Sequence, residues 1–399
     1  METLSSFEAV PTLSDEMRGC PKITALKAYG CASPFSDWTF VKVETEDSSL
    51  YGWGECSLPG KTFGVQGAIR DLEKLLAGED PLRTEYLWQR MYRHSYWRGG
   101  PIHTSAISGV DCALWDIRGK VLNRPICELL GGPVRRRVRL YANIGLSTDP
   151  AELAKRARHA VSLGYTAVKL YPLPVLDYLS GRRVIEGIVN CCGAVRDAIG
   201  PGHDFAVDFH GRPSAGFAVQ LEAAIRDLNP LWIEEPVLPE LEGGLRRCAR
   251  KFRVPIATGE RLFTRWSFKD LLEQELASVI QPDVSNAGGI TELVKIAALA
   301  EMYGVVFNPH NPNGPLQSQT SLHLASYAPA FQMLEHRHEG HDFAASICTV
   351  VPKIEPDGCC TPPSGAGIGG AMIEAALAAS PPQPWIPEAF RSDGSVADW

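Results

Sequence analysis

The 399 residues carry 45% apolar and 21% charged side chains and a formal net charge of −7, an ordinary soluble composition with more chain than one small core needs. The negative balance argues against nucleic acid or an anionic membrane surface as partner, because both reward clustered positive charge, and no stretch approaches the ~20 apolar residues of a membrane helix. The acidic start METLSSFEAVPTLSDE lacks the basic and apolar regions of a secretory leader, and 11 cysteines without CxxC spacing read as reduced thiols of a cytoplasmic protein rather than as a disulfide framework or zinc site.

Residues 22–56 read as extended segments: Phe40 to Thr45 alternates with period two, and Asp47 to Gly54 supplies turn chemistry around Trp53-Gly54-Glu55. From about 64 to 130 the pattern is helical. Ile107, Val110, Ala113, Leu114 and Ile117 fall on one stripe, and Gly109 permits a close neighbour. Arg135-Arg136-Arg137 is a short basic cluster that reads as a solvated junction. These features predict an α+β domain over 1–137.

From about residue 138 the pattern becomes strand, turn, helix, repeated. Tyr141–Ile144 is a short strand; Asp149-Pro150 then starts a helix, with Asp as cap and Pro in the first turn, and Gly164 ends it. Further strands are expected at 166–171, 205–209, 231–234, 255–258, 278–281, 304–308 and 331–334, with a helix over 214–228. Eight strands with helical crossovers predict an α/β fold, a TIM-type (β/α) barrel over 138–355. An open doubly wound sheet is disfavoured, since no GxGxxG follows a strand. Gly365–Gly370 (GAGIGG) lies in an irregular tail, 356–399, and reads as a turn.

The acids and histidines recur in step with that repeat. Asp208, Glu234 and Glu260 are spaced 26 residues apart, and Asp283, His310 and Glu335 follow at steps of 23, 27 and 25. One strand-loop-helix unit takes about that many residues, so each group falls at the C-terminal end of a strand, where barrel active sites lie. Residues i and i+2 of a strand share a face, so Asp208 and His210 can both enter the mouth, as can Lys169 and Tyr171. Glu234 and Glu235 must diverge, and spacing alone does not choose between them. Three crowded carboxylates repel one another without a cation, and an oxygen-only ligand set favours magnesium; helix caps or arginine partners are the plainer alternative for any one of them. His310 follows a strand between prolines, within reach of Asp283, a pairing that fixes the tautomer and raises basicity. His336, His338 and His341 (HRHEGH) lack regular ligand spacing and read as a solvated loop.

Through WGE at 53–55, SAISGVDCALWDIRGK at 105–120, DFHGR at 208–212, IEEPVL at 233–238, GERLFTRW at 259–266 and QPDVSNAGGITE at 281–292, the chain resembles the enolase superfamily in its mandelate racemase-like branch, and most closely the D-galactonate dehydratase-type sugar acid dehydratases. The resemblance implies a capping domain over the barrel mouth, completed by the C-terminal tail, with loops near 28–38 and 51–62 helping to choose the substrate. It implies that Asp208, Glu234 and Glu260 bind Mg2+, that Asp283 and His310 form the basic dyad, that His210 is the general acid, that Glu335 hydrogen-bonds the substrate carboxylate, and that Lys169 is the first lysine of a KxK motif. The second lysine is replaced by Tyr171, which counts against two-base racemisation. The expected activity is dehydration of an acid sugar, an aldonate of galactonate type, to a 2-keto-3-deoxy acid, in a homo-oligomer. The alternatives are a racemase or epimerase of a 2-hydroxy acid on the same site and, more remotely, a catalytically silent binding barrel.

Overall fold

Alternating apolar residues and a polar turn build the first layer. β1 (Ile23–Ala32), β2 (Asp37–Thr45) and β3 (Tyr51–Glu55) form an antiparallel sheet in that order, and Asp47 fastens the β2–β3 turn by accepting from the backbone N–H and hydroxyl of Ser49. The computed structural model describes residues 20–94, 96–177, 179–337, 339–383 and 387–398. α1 (Thr62–Leu76) and α3 (Pro101–Leu122) cover one face of the sheet, α2 (Thr84–Arg93) packs on both of them, and the short α4 (Ile126–Leu129) lies against α3. α3 lies so close to β3 that a Cβ on Gly52 or Gly54 would stand 1.9 Å from the carbonyl oxygen of Ala113 or Gly109. The glycines flanking Trp53 are therefore the means by which sheet and helix touch. The stripe from Ile107 to Ile117 is fully buried there, with Val41, Val43 and Ile69.

Eight parallel strands follow. β4 (Val138–Leu146), β5 (Ala167–Tyr171), β6 (Asp204–Asp208), β7 (Ile233–Glu234), β8 (Ile256–Thr258), β9 (Val279–Ile280), β10 (Val306–Phe307) and β11 (Leu334–His336) are separated by α5 (Pro150–Ser162), α6 (Arg182–Ile199), α7 (Ala215–Ile225), α8 (Glu242–Lys251), α9 (Thr264–Glu273), α10 (Gly289–Met302) and α11 (Pro315–Tyr327). From β4 to β10 each strand pairs with the next, β11 pairs with β4, and an isolated parallel bridge between Phe307 of β10 and Phe331, just before β11, joins the two ends. This is the expected (β/α) barrel. α12 (His341–Ile347), β12 (Cys359–Cys360) and α13 (Glu374–Ala379) complete the chain. The tail returns to the first layer, where Glu374 accepts from Tyr29 at 2.5 Å and Lys42 at 2.6 Å.

Two barrel layers matter for function. Tyr141, Ala167, Ala206, Trp232, Ala257, Val279 and Met333 form an apolar cluster apart from the helix-facing core. Two residues beyond five of them stand Asn143, Lys169, Asp208, Glu234 and Glu335, on the same strand face by the period of two. An apolar floor thus carries a polar layer at the C-terminal mouth.

The last strand begins at Leu334 rather than at Phe331, because the side-chain oxygen of Asn308 takes the N–H groups of Gln332 and Met333 that a ladder would need. The helix expected over 214–228 stops at Ile225 and tightens into a 3-10 turn over Arg226–Leu228. Arg135 is not simply solvated: its guanidinium donates to the carbonyls of Ala325, Ala328 and Pro329, capping the C-terminal end of α11. All 11 cysteines carry free thiols, and among the described residues no helix is long and apolar enough to cross a membrane.

Candidate active site

The barrel mouth opens into a cavity of 590 Å³ lined by Lys169, Tyr171, Asp208, His210, Glu260, His310 and Glu335 from the barrel, and by Phe35, Leu58 and Pro59 from the two first-layer loops. Asp208 and Glu234 are paired in register across β6 and β7. With Glu260, just past β8, they present carboxylate oxygens all within 4.8 Å of one another.

The adjacent glutamates diverge as the strand period requires. Glu234 turns inward, accepting from Trp232 Nε1 at 3.0 Å, Gln281 Nε2 at 2.7 Å and the Lys169 ammonium. Glu235 turns away, to Arg261 and Thr258. Lys169 is buried, 3.0 Å from Glu335 and 3.7 Å from Asp208 besides its contact with Glu234. Burial alone would depress its pKa, but Glu234 and Glu335 overcome that and hold it well above the usual value.

Those neighbours leave the cluster short of positive charge. Burial first, and then the carboxylate crowd against the relief of Lys169, raises Asp208 to about 6. Burial likewise raises Glu234 and Glu260. A buried trio of oxygen donors with too few cations fits a hard divalent ion, whose charge would offset the repulsion.

His310 Nδ1 lies 2.7 Å from Asp283 Oδ2, and its Nε2 faces Glu260 at 3.5 Å. Burial would lower this imidazole; the Glu260 charge and the Asp283 hydrogen bond outweigh it and bring the pKa to about 10. A cation on Glu260 would remove the larger of those two influences. Across the cavity, His210 is pushed down to about 3 by burial and by Arg261 and Arg212, so the resting ring is neutral. Its backbone takes φ 52° while its N–H donates to Asp208 Oδ1 at 2.7 Å. Tyr171 sits 4.8 Å from the His210 ring, centroid to centroid, and burial raises its phenol far above the usual range, so it stays protonated. Glu335 accepts from Asn143 Nδ2 at 2.7 Å and the Asn311 N–H at 3.0 Å. Burial favours its neutral form, but Lys169, His310 and Asn311 hold it ionised.

This geometry is matched by kinship. Residues 152–376 match the enolase C-terminal domain-like family, and residues 18–131 match the mandelate racemase/muconate lactonizing enzyme N-terminal domain. The chain belongs to the enolase superfamily. It is 39% identical over 386 residues to a D-galactonate dehydratase of Ralstonia nicotianae and 38% identical to one of Cronobacter sakazakii, in each case over 95% of this chain and 100% of the relative. A solved enolase superfamily member from Salmonella Typhimurium superposes with a TM-score of 0.86 at 30% identity, covering 90% of this chain and 98% of that one. A mandelate racemase/muconate lactonizing enzyme from Sulfitobacter gives 0.86 at 32% identity, over 91% and 96%.

All eight expected superfamily site residues, Lys169, Asp208, His210, Glu234, Glu260, Asp283, His310 and Glu335, converge on this region. The HRHEGH segment does not fit the solvated-loop expectation. His336 is buried at the end of β11, with Nδ1 bonded to Tyr165 Oη, because the strand extends through it. His341 opens α12, and His338 lies outside the described residues. Sequence reasoning missed Asn143 and Gln281, which sit one strand period above the floor residues Tyr141 and Val279 and were legible by that alternation. It also missed Asn311 and Gln317, whose roles have no local signal.

Proposed function

We propose that this chain dehydrates a sugar acid, an aldonate of galactonate type, to the 2-keto-3-deoxy acid by removing the proton at carbon 2 and expelling the hydroxyl at carbon 3. The observation that carries this is one cavity holding the His310–Asp283 pair, the three-carboxylate cluster and a second imidazole. The relatives named D-galactonate dehydratase support the substrate class.

Asp208, Glu234 and Glu260 are the residues that would hold Mg2+, which when bound supplies positive charge for the substrate carboxylate and for the enediolate that forms as the proton leaves. Lys169 adds a fixed ammonium in a dry site, where its charge is worth more than in water. His310 is the base: Asp283 fixes its Nδ1 proton, leaving Nε2 to take the carbon-2 proton. Glu335 holds Lys169 and Asn311. The anionic substrate arriving beside it favours the protonated carboxyl that can donate to the substrate carboxylate. The same negative charge draws a proton onto His210, which passes it to the departing 3-hydroxyl; the enol product then tautomerises. Acid–base assistance of this kind contributes ~10²–10⁴-fold per group, so charge stabilisation supplies much of the remaining acceleration. Protonated Tyr171 offers no second base, which disfavours racemisation.

The test is a library of acid sugars incubated with and without Mg2+, scored for keto acid. Metal-dependent keto-acid formation is expected. An epimer of unchanged composition, or full turnover after exhaustive chelation, would overturn the assignment.

A further inference from the structure

Glu55, the acid of the WGE segment, is buried and far in sequence from the dyad, yet a line of hydrogen bonds connects them. Glu55 Oε1 accepts from the Gly314 N–H at 2.7 Å and from Ser57 Oγ at 2.7 Å, and its Oε2 accepts from the Gln317 N–H at 2.9 Å. It therefore satisfies the N–H of Gly314, at the cap of α11, and that of Gln317 in its first turn. The fit is tight, since a Cβ on Gly314 would lie 2.7 Å from either Glu55 oxygen. The side chain of Gln317, so placed, accepts from the Asn313 N–H at 2.8 Å and sends Nε2 to both oxygens of Asp283, at 2.7 and 2.8 Å. Asp283 also accepts from the Ser285 N–H at 2.7 Å and meets His310 at 2.7 Å. Asp283, Gln317 and Glu55 are 0%, 1% and 2% exposed, and neither Gln317 nor Glu55 lines the cavity.

We propose that Glu55 and Gln317 are positioning residues for the base: the first layer, acting through the opening turn of α11, locks the carboxylate plane of Asp283 and thereby aims the His310 imidazole at the substrate. The inference rests on His310 being the base. A carboxylate held by one imidazole and one backbone N–H can still turn about its last torsion. The Gln317 amide, spanning both oxygens, removes that freedom, and its own torsions are fixed by Asn313 and by a backbone pinned to Glu55. Leu58 and Pro59, which touch the cavity, lie three and four residues beyond Glu55. The loop that contacts substrate and the anchor that aligns the base thus belong to one segment, and the seating of the first layer on the barrel is transmitted to the dyad.

The test compares Gln317→Met, Asp283→Asn and the double variant in carbon-2 proton exchange and keto-acid formation. It also follows the His310 imidazole N–H resonance in nitrogen-15-histidine-labelled, metal-free protein. Gln317→Met is expected to lower kcat for exchange and elimination together, by about ten- to hundredfold as orienting hydrogen-bond partners do, with KM within about twofold and the imidazole resonance displaced. The double variant should be no slower than Asp283→Asn, because the amide acts only through that carboxylate. Gln317→Glu, equally long but repelling Asp283, should lose kcat in the same way and guards against a Met variant that fails to fold. Glu55→Gln should show a smaller loss of kcat in the same direction. Wild-type kcat in both Gln317 variants, an unmoved resonance, or losses that multiply in the double variant would overturn the positioning role. Wild-type exchange in Asp283→Asn would instead sink the dyad assignment itself.

Discussion

Asp208 and Glu234 are register partners at the ends of adjacent parallel strands, so the ladder itself holds their carboxylates side by side. Backbone pairing thereby keeps together two charges that would otherwise separate, and a cation is the direct remedy. Mg2+ added to metal-free protein is expected to raise the melting temperature by mass action, about 2.7 kcal/mol of stabilisation at a hundredfold excess over Kd. Asp208→Asn should lose most of that shift. Equal shifts in variant and wild type, read by calorimetry, would remove the cluster from consideration as the metal site.

The two imidazoles have separable duties. His310→Asn is expected to abolish exchange of the carbon-2 proton with D₂O, followed by NMR; persistent exchange would mean that another base does the work. His210→Asn should keep exchange while losing elimination by roughly 10²-fold or more. Undiminished keto-acid output from it would exclude the acid role.

Lys169 is the cation the metal-free cluster leans on, touching Glu234, Glu335 and Asp208. Lys169→Met strands buried carboxylates, so the metal-free protein should lose about 3–5 kcal/mol of stability, and Mg2+ should restore part of it. A denaturation curve that coincides with wild type without metal would contradict this account.

His323 in α11 ties down the tail, its Nε2 3.1 Å from the Ile368 carbonyl, and burial lowers its pKa to about 4. A depressed folded-state value gives stability that is complete above the unfolded pKa of about 6.5 and is lost as pH falls toward 4. The size is at most about 3 kcal/mol. Wild type should therefore lose stability more steeply than His323→Gln between pH 6.5 and 4. Parallel curves would show that this ring does not drive the loss.

The sequence alone determined the order of the barrel strands, the recurrence that puts Asp208, Glu234 and Glu260 at successive strand ends, and the inward face shared by Lys169 and Tyr171. These are local properties: a strand alternates with period two and a crossover unit has a nearly fixed length, so direction and position follow from counting. The adjacent pair Glu234 and Glu235 marks where counting stops. Alternation requires the two to diverge, and which one faces the cluster depends on the β7–β8 pairing and on the partners each meets, Lys169, Trp232 and Gln281 for Glu234 and Arg261 and Thr258 for Glu235. His336 shows the same limit: three histidines in six residues look solvated until the strand is seen to run through the first of them. Gln317 is the extreme case. Its helix N-terminus meets Glu55 across a separation of 262 residues, and only the docking of the first layer onto the barrel brings that anchor to the turn that steadies the base.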